Sequence, residues 1–542
     1  MAERVIGEGP ADEAPTARRR WFRRPRRLHR PRPPLAALIV VTAAVYAAYS
    51  LMRLRAFRTT SYDLVIFDQG VRSYSGFGLP VAMVKGVHNG FGPGFPILGD
   101  HFSPALALLA PLYWIHDGPA TLLIAQAALF ALAIVPIWRY TERRLGAGAA
   151  YCAAGAYALS WPVAEALSFD FHEVAFVPLL SALLVERYDA GRRGQAAVAA
   201  VALLLVKEDM GLLLAGFGLF LLARRPRGAG GVRAWPLRGD RPAGFACLAA
   251  GLVATWVCSR LIIAAFGGDN DYYWAYGSLG PDLPSAAAHA LTRPWDVVAT
   301  LTTPPGKLAT MALLVLPLLL LPLASPLTLT VLPLLAERML ASRFSNWWAP
   351  SYHYNAFLIA VLVLAAVDGA VRVRGLIVSR ARRRTGEQAR RSRASRQAVP
   401  GSRPRRHRLP APRVAPAAGM LTAGIVLVPF FAFNDLADPA LWKQNQRARA
   451  AAAVAARVPD GVLVESANGV GPALTGRTRV LLWDWEPRYA PWVVADVDRL
   501  EFPFTSVDEQ RARVETLIEA GYREVFRRYG YVLLHRDAPD PW

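Results

Sequence analysis

The sequence predicts an all-α polytopic membrane protein that carries a small α/β domain at its C-terminal end. Three observations predict it. Apolar runs of roughly 15 to 25 residues recur along most of the chain, arginine-rich blocks stand beside them, and the patterning changes after Asn434. Hydrophobic residues make up 54% of the 542 and mean hydropathy is positive, which fits membrane helices better than a soluble multidomain enzyme. The formal charge of +22 would suit a nucleic-acid binder, but it is confined to short blocks next to apolar segments. No basic helix or zinc motif goes with it, so no nucleic-acid partner is expected. Cys152, Cys247 and Cys258 each fall inside an apolar segment, which supports neither a disulfide framework nor a thiolate metal site.

Residues 1–34 read as a basic, disordered cytoplasmic tail. Its arginine-rich part, 18–32, precedes an apolar run too long for the core of a signal peptide, so the run is expected to be an uncleaved anchor helix. In hydrocarbon every backbone polar group must be bonded within its own segment, so each spanning stretch should be a helix of about 17 to 25 residues. Eleven candidate spans follow, at about 35–55, 119–138, 147–163, 174–187, 194–206, 210–223, 243–265, 307–323, 326–341, 354–373 and 416–433. The arginine-rich blocks 18–32, 139–144, 187–193, 224–241 and 372–413 then all fall on the cytoplasmic side. That agreement requires 101–115 not to cross. It is apolar but only about 14 residues long and contains Pro104 and Pro111, too short for a core of about 30 Å, and is expected to form an interfacial or re-entrant helix on the outer surface.

The expected organisation is therefore a transmembrane domain over 35–373, an arginine-rich cytoplasmic linker over 374–413, a last transmembrane helix over 414–434 and a small extracytoplasmic α/β domain over 435–542. The linker suits contact with anionic membrane lipid. Within the C-terminal part, helical patterning at 442–456 and 508–519 alternates with short apolar runs at 462–464, 480–483, 492–494, 525–526 and 531–534. Without cysteines or a phosphate-loop motif, this domain is given an accessory role. Four lysines against 58 arginines, with heavy use of Ala, Gly and Pro, point to a GC-rich bacterial genome. A multi-pass protein of the bacterial plasma membrane is the expectation.

With this topology the chemistry-bearing residues gather on the outer face. Asp63 and Asp68, five apart after the first span, would not share one face of a helix, so one of them at most points into a given cavity. Helix capping is the competing use of Asp63. Asp100 and His101, ahead of Phe102-Ser103-Pro104, can hold a divalent cation or a phosphate, unless Asp100 or Ser103 only caps the short helix. Asp170, His172 and Glu173 alternate with aromatics at a helix end, a functional pattern by default beside a membrane. Lys207-Glu208-Asp209 forms a charged turn between two apolar runs. Arg338 and Arg343 suit a bidentate contact with a lipid phosphate. The stretch around Trp348, Tyr352, His353 and Tyr354 could stack on a sugar ring or a prenyl chain, its alternative being an interfacial aromatic belt.

Tyr62-Asp63-Leu64, Phe67-Asp68-Gln69, Gly99-Asp100-His101-Phe102-Ser103-Pro104, Asp170-Phe171-His172 and Lys207-Glu208-Asp209, in this order, resemble the bacterial membrane-protein family catalogued as domain of unknown function 2079, over roughly residues 35 to 375. An acid just after the first helix and an Asp-His element opening a short outer helix are also distantly similar to polyprenyl-phosphate-dependent glycosyltransferases of the C-type fold. Ser103 stands where that pattern has a proline, and Leu64 where it pairs a second acid. The resemblance implies a membrane glycosyltransferase that moves a sugar, with inversion, from a polyprenyl-phosphate donor to an envelope glycan, lipid or protein. It implies Asp63 as the base, Asp100, His101 and Pro104 lining the site, and Arg343 or Lys207 on the phosphate. A divalent cation, Mg or Mn, would sit near Asp170 or Glu208, with His172 and Asp209 as further ligands. Two other functions fit the same residues: a lipid or solute transporter or flippase, and a non-catalytic membrane scaffold.

Overall fold

A computed structural model describes residues 33–224, 240–269, 274–394 and 413–541. The N-terminal block 18–32, nearly all of 224–241 and the 395–412 part of the linker lie outside the described residues. The chain is mostly helical, with one small sheet near its C-terminus.

Four helices are long and apolar enough to cross a membrane: Pro33–Arg55, Pro119–Leu145, Arg241–Ala265 and Ala356–Ala381. They differ in place. The most apolar window of the Ala356–Ala381 helix is 83% buried against 17% for Arg241–Ala265, so the first is the central post of the bundle and the second lies at its edge. Of the other expected spans, 210–223 stands as the helix Met210–Ala223 and 194–206 as Arg193–Leu204, while others are divided at proline, which removes a donor and clashes with the preceding turn. The expected span 307–323 ends as a helix at Val315, passes through left-handed Leu319 and Leu320, and resumes as a short turn carrying Pro322. The next is divided between Pro326–Thr330 and Leu332–Leu340, each with a proline in its first turn. The segment expected to be interfacial gives two short helical pieces, Pro104–Leu109 and Ala110–Tyr113.

Helices Met210–Ala223 and Arg241–Val257 cross at glycines. A Cβ on Gly211 would lie 2.2 Å from the Gly251 carbonyl oxygen, and one on Gly251 would lie 2.3 Å from that of Gly211. Small residues let membrane helices approach this closely and gain dispersion contacts that lipid cannot supply.

After the helix Gln446–Ala455 the chain builds β1 (Leu463–Ser466), β2 (Arg479–Leu482), β3 (Trp492–Asp496), the helix Val507–Glu519, β4 (Arg523–Arg528) and β5 (Tyr531–His535). The sheet order is β2-β1-β3-β5-β4. β1 is parallel to both neighbours, whereas β5 runs antiparallel to β3 and β4. Each short apolar run of the sequence is thus a strand. Trp483, Val493 and Leu533 are fully buried beneath it. The sheet packs on the segment after the first helix, which makes it part of the site's wall.

Candidate functional site

The first helix ends at Arg55, Phe57 adopts a left-handed φ of 57°, and the chain re-enters a helix through a π-helical turn, Ser61–Val65, before the α-helix Ile66–Ser75. A π-turn is rare and needs outside support. Here the support comes from the sheet domain: Asn468 Oδ1 accepts the backbone N–H groups of Ser61 (2.9 Å) and Tyr62 (3.1 Å), and Ser61 Oγ donates to the Asn468 carbonyl (2.9 Å). From the other side, Thr60 N–H and Oγ1 both donate to Asp170 Oδ2, at 2.8 and 2.7 Å. The turn is held from both sides.

This arrangement leaves Asp63 with 27% of its side chain exposed and Oδ1 3.3 Å from His172 Nε2. His172 stacks on His353 with ring centroids 3.7 Å apart, and Phe169 lies against both. Asp170 takes a left-handed φ of 67°, a conformation Asp tolerates better than most residues, and this turns His172 toward Asp63. Burial pushes the Asp170 carboxyl up to about 6, opposed by Thr60 and Arg53 and helped by the nearby charge of Asp63.

A second set of charged groups continues from there. Glu173 Oε1 accepts from Lys207 Nζ at 2.9 Å, and Lys207 Nζ lies 3.4 Å from His101 Nε2. His101 Nδ1 is 2.8 Å from Glu208 Oε1, while Glu208 Oε2 accepts the backbone N–H of Phe102 at 3.0 Å. Asp100 pairs with Lys85 at 2.9 Å. Burial pushes Asp209 up to about 7, Lys207 and His101 pulling it down and Glu208 and Glu173 adding to the rise. Tyr354 lies within electrostatic range of Lys207, Asp63 and Glu173, which joins the two sets. The site is therefore one polar tract, running from Asp63 and His172 through Glu173 and Lys207 to His101 and Glu208.

Several expected residues have other uses. Asp68 is fully buried: Tyr113 donates to Oδ1 at 2.7 Å, Thr475 donates to Oδ2 at 2.8 Å, and Arg72 lies 2.7 Å from Oδ2. No oxygen is left open for a substrate proton, so the catalytic expectation for Asp68 is replaced by a structural one. Arg338 is also spent internally, donating to the carbonyls of Trp347 and Tyr354 and to Asn355 Oδ1. It fastens a loop, and this corrects its expected phosphate contact. Arg343, by contrast, is exposed. Neither Asp63 nor Ser103 caps a helix through its side chain. The expected metal quartet divides, Asp170 and His172 beside Asp63 and Glu208 beside His101, and no group of three His, Cys, Asp or Glu able to hold a metal occurs among the described residues.

Three participants carried no mark in the sequence. Asn468 precedes Gly469, and an Asn-Gly pair reads as a plain turn. Lys85 looked like an isolated loop charge. Glu337, which lies close enough to Asp209 and Glu208 to interact with both, sat inside an expected span next to the more conspicuous Arg338.

Fold and site together define a helical membrane protein whose polar tract is walled on one side by a small sheet domain. Residues 53–389, more than half of the chain, match the family described as predicted membrane protein, DUF2079, and the chain belongs to that family. No curated protein matches it in sequence. Among solved structures, ArnT from Cupriavidus metallidurans in the apo state is similar at 15% identity, with 92% of this chain and 97% of that chain covered and a TM-score of 0.46. The archaeal oligosaccharyltransferase AglB from Archaeoglobus fulgidus, in complex with an inhibitory peptide and a dolichol-phosphate, is similar at 14% identity, with 92% and 75% covered and a TM-score of 0.40.

Proposed function

We propose that this protein is a membrane glycosyltransferase that moves a sugar from a polyprenyl-phosphate donor to an envelope acceptor, with Asp63 as the base. The observation that carries the proposal is the contrast between two carboxylates five residues apart: Asp68 has every oxygen engaged and none exposed, whereas Asp63 stands 27% exposed beside an imidazole. A general base must reach the proton that it takes, and only Asp63 of the pair is open to a hydroxyl.

In the reaction, Asp63 takes the proton of the acceptor hydroxyl as that oxygen bonds to the anomeric carbon. The bond from that carbon to the phosphate oxygen breaks on the opposite face, so configuration inverts and polyprenyl phosphate leaves as the anion. His172 orients the Asp63 carboxylate. Arg343 supplies charge to the donor phosphate, and the Lys207–Glu173 and His101–Glu208 pairs form the polar wall. No step is assigned to a metal ion.

The proposal includes an orientation: the sheet domain and the polar tract face outward, the arginine-rich helix ends face the cytoplasm, and the shorter apolar helices complete up to eleven crossings. What supports it is that Arg143, Arg144 and Arg187 stand in the last turns of Ile134–Leu145 and Val177–Asp189, beside the arginine-rich blocks that the positive-inside rule assigns to the cytoplasm. The test is transfer of labelled sugar from polyprenyl-phosphate donors by membranes containing the protein. Asp63→Asn at equal expression should lose about a hundredfold to ten-thousandfold in rate. Absence of transfer by the unaltered protein across several donor sugars would remove the proposal.

A further inference from the structure

A cavity of about 320 Å³ opens among Tyr140, Arg144, Asp189, Arg224, Asp368 and Arg372, far from Asp63. Arg144 stands at the distal end of the Pro119–Leu145 helix, which is about 40 Å long, and Asp368 lies roughly 18 Å along the central helix from Ala356. The cavity thus belongs to the end of the bundle opposite the sheet domain.

Its carboxylate acceptors are used, whereas part of its donors are not. Asp368 Oδ1 accepts from Arg144 at 2.7 Å, and its Oδ2 accepts from Ser325 at 2.7 Å and Arg372 at 2.6 Å. Asp189 Oδ1 accepts from the other arm of Arg144 at 2.6 Å. On the donor side, Arg144 Nε is buried without a hydrogen-bond partner. The hydroxyl of Tyr140, a residue only 2% exposed, has no hydrogen-bond partner among the described residues. Arg224 lies 3.7 Å from Asp189 and 3.6 Å from Asp240, beyond good hydrogen-bond range. With Asp240 and its other partner Arg193 counted, four guanidiniums (Arg144, Arg193, Arg224 and Arg372) stand against three carboxylates (Asp189, Asp240 and Asp368), which leaves one net positive charge at the cavity. Such a surplus calls for a small anion with several oxygens.

We infer that this cavity binds the phosphoryl group of an anionic lipid headgroup, held by Tyr140, Arg144 and Arg224. Guanidinium forks match the paired oxygens of a phosphate, and basic pockets between helices at the membrane surface are where such headgroups sit. The two aspartates hold Arg144 in place at the cavity wall. The site is independent of sugar transfer at Asp63.

The experiment uses the full chain purified in a neutral detergent and titrated with dioleoylphosphatidylglycerol, with dioleoylglycerol, which has the same tails and no phosphate, or with inorganic phosphate. Native mass spectrometry reads the retained lipid, and thermal unfolding reads the stabilisation. The protein should retain the phosphatidylglycerol over the dioleoylglycerol by roughly tenfold or more, as two or more charge-assisted hydrogen bonds imply. Tyr140→Phe and Arg224→Gln should each weaken this several-fold. Tyr140→Phe removes only a hydroxyl without a partner, so its unfolding temperature in lipid-free detergent should stay that of the unaltered protein. Stabilisation by inorganic phosphate without retention of the lipid would keep the site and make its ligand a soluble phosphate. Equal retention of the two lipids, or retention unchanged in both variants, would overturn the inference.

Discussion

At the scale of single residues, the site turns on how differently two neighbouring acids are treated. Removing the Asp68 carboxylate leaves Arg72, Tyr113 and Thr475 around a missing partner, and breaking a buried pair of this kind costs about 3 kcal/mol or more. Asp68→Ala is therefore expected to lower the unfolding temperature measured in detergent, whereas Asp63→Asn should leave it nearly unchanged while slowing sugar transfer by about a hundredfold or more. Another buried acid gives a pH signature. Glu465 on β1 is fully buried, accepts from Ala490 N–H at 3.1 Å and lies 3.2 Å from Arg513. Burial pushes its carboxyl from 4.5 up to about 7, against the pull of Arg513. A raised pKa means that its contribution to stability is complete below pH 4.5 and is lost as pH rises through about 7. The loss is on the order of 3 kcal/mol. Glu465→Gln should accordingly flatten the decline in stability between about pH 5 and 8, as read by unfolding at a series of pH values, and an unchanged slope would count against this account.

At the scale of elements, the π-turn Ser61–Val65 and the loop after β1 behave as one unit. Asn468 Oδ1 accepts the N–H groups of Ser61 and Tyr62, that of Ser61 being shared with the Asn468 carbonyl at 2.8 Å, and a buried N–H deprived of its acceptor costs about 1–3 kcal/mol. Gln69 adds a bond to the Val480 carbonyl at 2.9 Å, His88 meets Asp484 at 2.7 Å, and Thr475 reaches Asp68 at 2.8 Å, so the helix-bundle side is tied to the sheet at several points. Asn468→Ala should speed amide exchange across 61–69 and reduce transfer, because Asp63 loses its fixed position. Exchange there that matches the unaltered protein would show that the turn holds itself. The C-terminal domain thus supplies a clamp on the turn that carries Asp63.

At the scale of the whole molecule, the proposed orientation is checked from two exposed positions. Asp508, 90% exposed on the sheet domain, and Ser379, exposed on the long central helix, report on opposite ends of the bundle. With cysteine at position 508, intact cells should take up a membrane-impermeant maleimide at once; with cysteine at 379, labelling should require lysis. The reverse pattern would invert the proposed orientation and put the polar tract in the cytoplasm. Native cysteines give little background, because Cys258 is buried and Cys152 and Cys247 are partly covered within apolar helices.

The helical membrane class and the strands of the C-terminal sheet were legible in the sequence, because apolar run length and period report directly on whether a segment is buried in lipid or in a pleated sheet. The acids of the polar tract were legible too, since a charge beside an apolar run stands out wherever it falls. Which of those acids stays open was not. Asp63 and Asp68 look alike in the chain, and what separates them is Thr475, 407 residues from Asp68. Asn468 lies 407 residues from the Ser61 that it supports. Lys207 looked like a ligand for phosphate until Glu173, 34 residues away, took its charge. Periodicity describes one segment against an averaged environment, but the partner of a given carboxylate or amide is chosen by packing between segments remote in sequence, and that is decided only in the tertiary structure.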